Sequence, residues 1–153
     1  MLRRARMIAD FQFGRGSGQA LFPKGTTYRL SNTKRLRYLY SVDERIATVR
    51  AKDGLLTLSM LGARRLYDHL SAPRYRVTAS QEAAPYVARG GTLFSKHVTE
   101  VDPEIRAGEE VLVVDEEGSL IATGKVHLSP EEMISMNRGP AVKIRKGADE
   151  SDE

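Results

Sequence analysis

The side chains best suited to chemistry in this 153-residue chain are arginines and lysines, and the chemistry they suit is the binding of phosphate. Arg35, Arg37, Arg45 and Arg50 fall on segments that read as neighbouring strands, and Arg64-Arg65 on the helix that follows. A guanidinium group is a planar fork that stays charged and donates two parallel hydrogen bonds, which matches a phosphate. Tyr28, Tyr38, Tyr40 and Tyr75 interleave with these charges. As a set they could stack on exposed bases, although packing at the rim of a core is the plainer role for any one of them. Further along, Gly90-Gly91 precedes Lys96, and the segment Ala141-Val142-Lys143-Ile144-Arg145 alternates apolar and basic side chains. Alternation puts Val142 and Ile144 on one face of a strand and Lys143 and Arg145 on the other. The paired glycines either let a sugar-phosphate chain approach the backbone or simply cap a helix; the two roles are compatible.

Other constellations are weaker. The stretch Gly14-Arg15-Gly16-Ser17-Gly18 is rich in glycine but lacks the Gly-Lys-Ser/Thr ending of a nucleotide loop and follows a helix, so it reads as a flexible turn that positions Arg15. His69, His97 and His127 have no ligand spacing among them, and no metal or other cofactor is expected. Glu131-Glu132 sit where a helix's first turn already favours acids. Cysteine is absent, which excludes disulfides, thiolate nucleophiles and cysteine zinc sites.

The elements that must hold these residues follow from local pattern. Residues 1–14 read as a helix with Leu2, Met7, Ile8 and Phe11 at roughly helical spacing. Strands are expected at 26–30, 36–40, 45–51 and 55–60, the last two joined by the hairpin signal Lys52-Asp53-Gly54. A short helix over 62–70 closes the first domain, and Pro73 ends it. The second begins near Tyr75, with a strand at 76–78, a helix over 81–89 capped by Ser80, and a strand over 92–98. The apolar run Val111–Val114 is a buried strand, 119–128 another, and Ser129-Pro130-Glu131-Glu132 a helix start with cap, proline and first-turn acids. The final strand is Ala141–Arg145, and the acidic tail from Ala148 is expected to be disordered.

Charge is unevenly spread. Residues 1–79 carry 16 Lys and Arg against 5 Asp and Glu, whereas residues 80–153 carry 8 against 15. So basic a first half suits a polyanion partner; a face adapted for solubility or for docking on the acidic half is the alternative. No apolar run reaches membrane-spanning length and no signal peptide is evident, so a cytoplasmic protein is expected.

The order of these features resembles the PUA domain, a small RNA-binding β-barrel. The resemblance runs over Arg76–Gly147: strand, helix, Gly90-Gly91 turn, strand, the Ala107-Gly108-Glu109-Glu110-Val111 approach, the Leu120-Ile121-Ala122-Thr123-Gly124 strand, helix and basic last strand. It is nearest to the C-terminal part of archaeal archaeosine tRNA-guanine transglycosylases. It extends upstream through Ala9-Asp10-Phe11-Gln12-Phe13-Gly14-Arg15-Gly16 and Leu21-Phe22-Pro23, which look like the start of the small domain preceding PUA. The resemblance implies RNA contacts at Gly90, Gly91, Thr92, Leu93, Phe94, Lys96, Lys143 and Arg145. The family's catalytic barrel, aspartate nucleophile and cysteine zinc site have no counterpart, so base exchange by this chain alone is not expected.

The expected fold is therefore α+β: a basic helix and antiparallel-sheet domain over 1–74, then a PUA-type β pseudo-barrel over 75–147. The expected function is non-catalytic binding of structured RNA, tRNA foremost, in tRNA modification. Arg35, Arg37, Arg64 and Arg65 would join the PUA residues as contacts. The alternative is a protein-interaction subunit that docks on a modification enzyme or the ribosome.

Overall fold

The first helix, α1 (Leu2–Phe13), buries Ala5, Ala9 and Phe13. Of the four apolar residues at helical spacing, Leu2 and Ile8 are half-buried, but Met7 is 64% and Phe11 84% exposed. Small alanines win because they let the helix sit close to its neighbours, and Phe13 supplies the volume. The computed structural model describes residues 1–151 and divides the chain into two units, Met1–Leu70 and the residues from Ser71 onward.

In the first unit the glycine-rich stretch forms a second helix, α2 (Ser17–Leu21), where a flexible turn was expected. The reason lies on α1: the Asp10 carboxylate accepts the Gly18 N–H at 2.7 Å and satisfies the new helix's first turn. That carboxylate also fills the position a bound phosphate would need. Strands β1 (Thr27–Leu30), β2 (Leu36–Ser41), β3 (Glu44–Val49) and β4 (Leu56–Leu58) make an antiparallel sheet in sequential order. Leu39 pairs with Ala47 but Tyr40 with Arg45, so Ile46 is a bulge residue. The extra residue turns both Ile46 and Ala47 into the core and returns Arg45 to the face of Tyr40. Asp53 builds the expected hairpin, accepting the Leu55 N–H at 3.0 Å and pairing with Arg50 at 2.8 Å. Slight burial raises its pKa, but these two donors outweigh it and hold the carboxyl below its ordinary value. Helix α3 (Met60–His69) is capped by Ser59, whose hydroxyl accepts the Gly62 N–H at 3.1 Å.

The second unit contains β5 (Arg76–Ala79), α4 (Ala84–Ala88), β6 (Leu93–Phe94), β7 (Val98–Val101), β8 (Glu110–Val114), β9 (Leu120–Val126), α5 (Pro130–Met136) and β10 (Pro140–Gly147). They form one six-stranded, nearly closed barrel-like sheet in the order β6-β10-β9-β8-β5-β7. Only the β5–β8 pair is parallel. Val77, Val87, Leu93, Val111, Val113, Ala122 and Val142 meet inside, with Met133 of α5 against them. The continuous burial of β8 matches its uninterrupted apolar run. Helix α5 starts with a complete capping box, Ser129 taking the Glu132 N–H and Glu132 returning to the Ser129 N–H.

Three local expectations fail here for identifiable reasons. The helix expected over 81–89 is shortened, because residues 81–83 form a turn on Ser80, whose hydroxyl accepts the Ala83 N–H. The strand expected over 92–98 breaks after Phe94 into a 3-10 turn, Ser95–His97, since the buried Ser95 directs both its N–H and its hydroxyl to the Gly139 carbonyl. The tail expected to be disordered from Ala148 is bonded to the barrel: Ala148 N–H to Ile121 O and Asp149 N–H to Ala88 O, each at 2.8 Å. Asp152 and Glu153 of that tail lie outside the described residues.

Candidate nucleic-acid interface

The open face of the first sheet is set by the register. Arg29 pairs with Tyr38, and Tyr38 with Thr48; one step along, Thr27 pairs with Tyr40, and Tyr40 with Arg45. Paired residues share a face. The result is a polar, aromatic surface in which the Arg29 guanidinium stands 4.8 Å from the Tyr40 ring centre and the Tyr38 and Tyr40 rings are 6.4 Å apart. Arg29 was absent from the sequence-based set; its signal was the Thr27/Arg29 alternation opposite the tyrosines.

The other arginines divide by role. Arg35 is exposed on the turn into β2. Arg37 alternates to the other side of β2 from Tyr38 and donates to the Val49 carbonyl at 3.2 Å, so it does not line a common face with Arg45. Arg50 is held by Asp53. Arg64 is exposed, its guanidinium 5.3 Å from the Tyr67 ring centre. Arg65 ties α3 to the rest of the unit, donating to Leu21 O at 2.9 Å and Ser41 Oγ at 3.2 Å. Arg65, expected as an RNA contact, also serves as a structural strut, because its half-buried position gives these donors protein acceptors.

In the second unit the glycine turn closes α4. Gly90 adopts φ 98°, where a side chain would be strained, and its N–H reaches Val87 O while that of Gly91 reaches Tyr86 O. The Tyr86 ring lies over Gly91 so closely that a Cβ there would be 2.2 Å from it. Tyr86 is nonetheless 52% exposed, which makes it an aromatic platform beside the turn that the sequence had hidden inside a helix. Thr92 is half-buried, Phe94 is 40% exposed, and Lys96 is exposed on the 3-10 turn. Leu93 is fully buried and paired with Val142, so its side chain belongs to the core and not to an RNA surface.

Strand β10 joins these parts, since Pro140 pairs with Phe94, Val142 with Leu93, and Gly147 packs against Ala88 and Gly90 at its far end. Lys143 is exposed as expected and stands directly opposite Lys125 on β9, another exposed cation. Lys125 was missed because nothing but register reveals it.

Arg145 is held by an acid. Its Nε and Nη2 both donate at 2.9 Å to the two oxygens of Glu110, which is 1% exposed. The strand register explains it: Arg145 sits at an irregularity between Ile144 and Lys146, and Glu110 lies opposite Lys125 across β9. A bidentate guanidinium suits a buried carboxylate, whose two oxygens it meets with two parallel charge-assisted donors. Arg145 therefore has a structural role, with its side chain still 37% exposed. Among the described residues no cluster of His, Asp or Glu could hold a metal, and no helix is long and apolar enough to cross a membrane.

Comparison with known proteins agrees with this two-part construction. Residues 3–73 match the patch-forming domain C2 of tRNA-guanine transglycosylase, and residues 75–148 match the PUA domain. The tRNA-guanine(15) transglycosylase of Methanothermobacter thermautotrophicus is 45% identical over 147 residues, 95% of this chain but 22% of that protein. That of Pyrococcus furiosus is 43% identical over 143 residues, 94% of this chain and 24% of the relative. The chain thus spans about a quarter of the length of the curated relatives it matches. Among solved structures, a hypothetical protein of Pyrococcus horikoshii aligns with a TM-score of 0.74 at 21% identity, covering 97% of this chain and 90% of that one. A conserved PUA domain protein from Thermoplasma acidophilum aligns at 0.65, also 21% identical, covering 97% and 91%. The chain matches a C2 domain followed by a PUA domain and is similar, over nearly all of its length, to the C-terminal part of the archaeal tRNA-guanine transglycosylases.

Proposed function

We propose that this protein binds structured RNA, with tRNA as its principal ligand, as a non-catalytic recognition module in tRNA modification. The observation that carries the proposal is the way β10 ties together the glycine turn, β6 and an exposed pair of lysines. Lys143 and Lys125 are adjacent, Phe94 is paired to the start of the same strand, and Gly90 contacts its end. Cations in such a cluster neutralise a sugar-phosphate backbone, while Tyr86 and Phe94 offer faces for unstacked bases. The match to the C2 and PUA parts of transglycosylases supports tRNA as the RNA. On this reading the open face of the first sheet, with Arg29, Arg45, Tyr38 and Tyr40, is a second contact surface.

The test is a fluorescence-anisotropy titration of labelled tRNA across a salt series. Binding that weakens steeply with salt, and weakens further in Lys125→Glu/Lys143→Glu, is the expected result. Affinity that ignores both salt and the double substitution would overturn the proposal.

One observation favours a second reading. The exposed Met7 and Phe11 on α1 form an apolar surface beside Arg3 and Arg4. A protein partner, such as a chain carrying the remaining three-quarters of a transglycosylase, would cover such a surface. Recovery of one stoichiometric protein partner from nuclease-treated lysate, lost in Phe11→Ser, would favour docking over direct RNA binding.

A further inference from the structure

The acidic segment after β10 folds back onto the glycine turn. Its backbone is held there by Asp149 N–H to Ala88 O and by Glu150 N–H to Gly147 O at 3.2 Å. Lys146 Nζ donates to Ser151 O at 2.8 Å and fastens the far end. The Glu150 side chain then turns inward, and its Oε1 accepts the Gly147 N–H at 3.0 Å. The same oxygen occupies the space left by the missing side chain of Gly90, where a Cβ would be 2.6 Å away. An oxyanion thus rests on a backbone N–H, against a bare glycine Cα.

We propose that this seat is a phosphate-binding site for the RNA backbone, and that the Glu150 carboxylate fills it as a stand-in while RNA is absent. The inference rests on the RNA-binding reading and adds to it a particular phosphate contact and an internal competitor. A carboxylate and a phosphodiester are both oxyanions that accept from an N–H, so they compete for one donor. Two features make the carboxylate displaceable. Glu150 is exposed, and it reaches the seat from only three residues away, so releasing it disturbs no core contact. Asp149 and Glu150 also bring negative charge to the turn, which repels an incoming backbone over roughly 8–10 Å at physiological salt. The acidic balance of this unit therefore has a local focus beside its best binding surface.

The experiment compares wild type with Glu150→Ala and the nearly isosteric Glu150→Gln by tRNA anisotropy at two salt concentrations. Both variants should bind more tightly, Glu150→Ala by about threefold to tenfold at low salt, with the gain shrinking as salt screens the tail. In amide NMR of the Glu150→Ala protein, inorganic phosphate should shift the Gly147 and Gly90 signals, and in wild type it should shift them far less. Equal or weaker tRNA binding by both variants, with phosphate leaving those two amides unmoved, overturns the proposal. The RNA-binding reading fails differently: wild type itself would show no salt-dependent tRNA binding, and Lys125→Glu/Lys143→Glu would change nothing.

Discussion

The two units carry opposite charge and use their cations in opposite ways. The first, through Leu70, has 14 Lys and Arg against 5 Asp and Glu; the second, from Ser71, has 10 against 15. Yet several arginines of the basic unit are tied to structure: Arg37 to a strand carbonyl, Arg50 to Asp53, and Arg65 to Leu21 and Ser41. The acidic unit leaves Lys96, Lys125 and Lys143 exposed around one strand and one turn. Net charge and usable charge are thus different quantities. On the RNA-binding proposal the first unit provides long-range attraction, which depends on the sum, and the second provides recognition, which depends on placement.

The largest effect should come from Arg145, the cation bonded to the buried Glu110. Arg145→Ala removes two charge-assisted donors from the buried Glu110 carboxylate and should cost about 3–5 kcal/mol in urea denaturation, whereas Glu110→Ala leaves a guanidinium that water can reach and should cost less. If Arg145→Ala instead kept full stability and lost only RNA affinity, Arg145 would belong with Lys143 and the division drawn here would fail. Next in size is Lys125→Glu/Lys143→Glu, expected to lower tRNA affinity on the order of tenfold or more and to reduce the salt slope by about two. The matched reversal in the first unit, Arg29→Glu/Arg45→Glu, should reduce the slope similarly with a smaller loss of affinity at physiological salt. A larger loss from the first-unit pair would invert the assignment of attraction and recognition.

Smaller effects sharpen the picture. Tyr40→Ala removes the ring beneath Arg29, and with it about 0.5–1 kcal/mol of cation–π interaction at a solvent-facing site. If bases stack there, tRNA affinity falls by a further few-fold while a simple polyanion such as heparin is unaffected. Ser129→Ala should lower stability by about 1 kcal/mol without touching RNA binding, which serves as the control for folding. The same capping box gives the smallest signal. The Ser129 backbone N–H and hydroxyl hold the Glu132 carboxyl below its ordinary value of 4.5, so its contribution is present above that pH and is lost as pH falls through the depressed folded value. Glu132→Gln should flatten that part of an acid-denaturation profile.

Features encoded within a few residues were readable from the chain. The Lys52-Asp53-Gly54 hairpin, the Ser129 capping box, the Gly90-Gly91 turn and the alternation of β10 each depend on neighbours close in sequence. Features that depend on register were not. Lys125 meets Lys143, and Arg145 meets Glu110, only once three strands are aligned. The bulge at Ile46, which decides where Arg45 points, has no composition of its own. Helix α2 escaped because its stabilising partner, Asp10, lies on a different helix. Leu93 was carried into the binding set by its place in a motif, although its apolar side chain paired with Val142 is what the core needs.

The shortness of β6 has a consequence for how the protein behaves in a crowded solution. A sheet that does not close completely ends in two rims, and a rim of unpaired N–H and carbonyl groups is a template onto which another chain can add itself. At this rim the sheet offers only Leu93 and Phe94 before the chain bends into the turn fixed by Ser95 and Gly139. Two residues are too few to seed strand addition, so aromatic and basic side chains can be displayed there without inviting self-association.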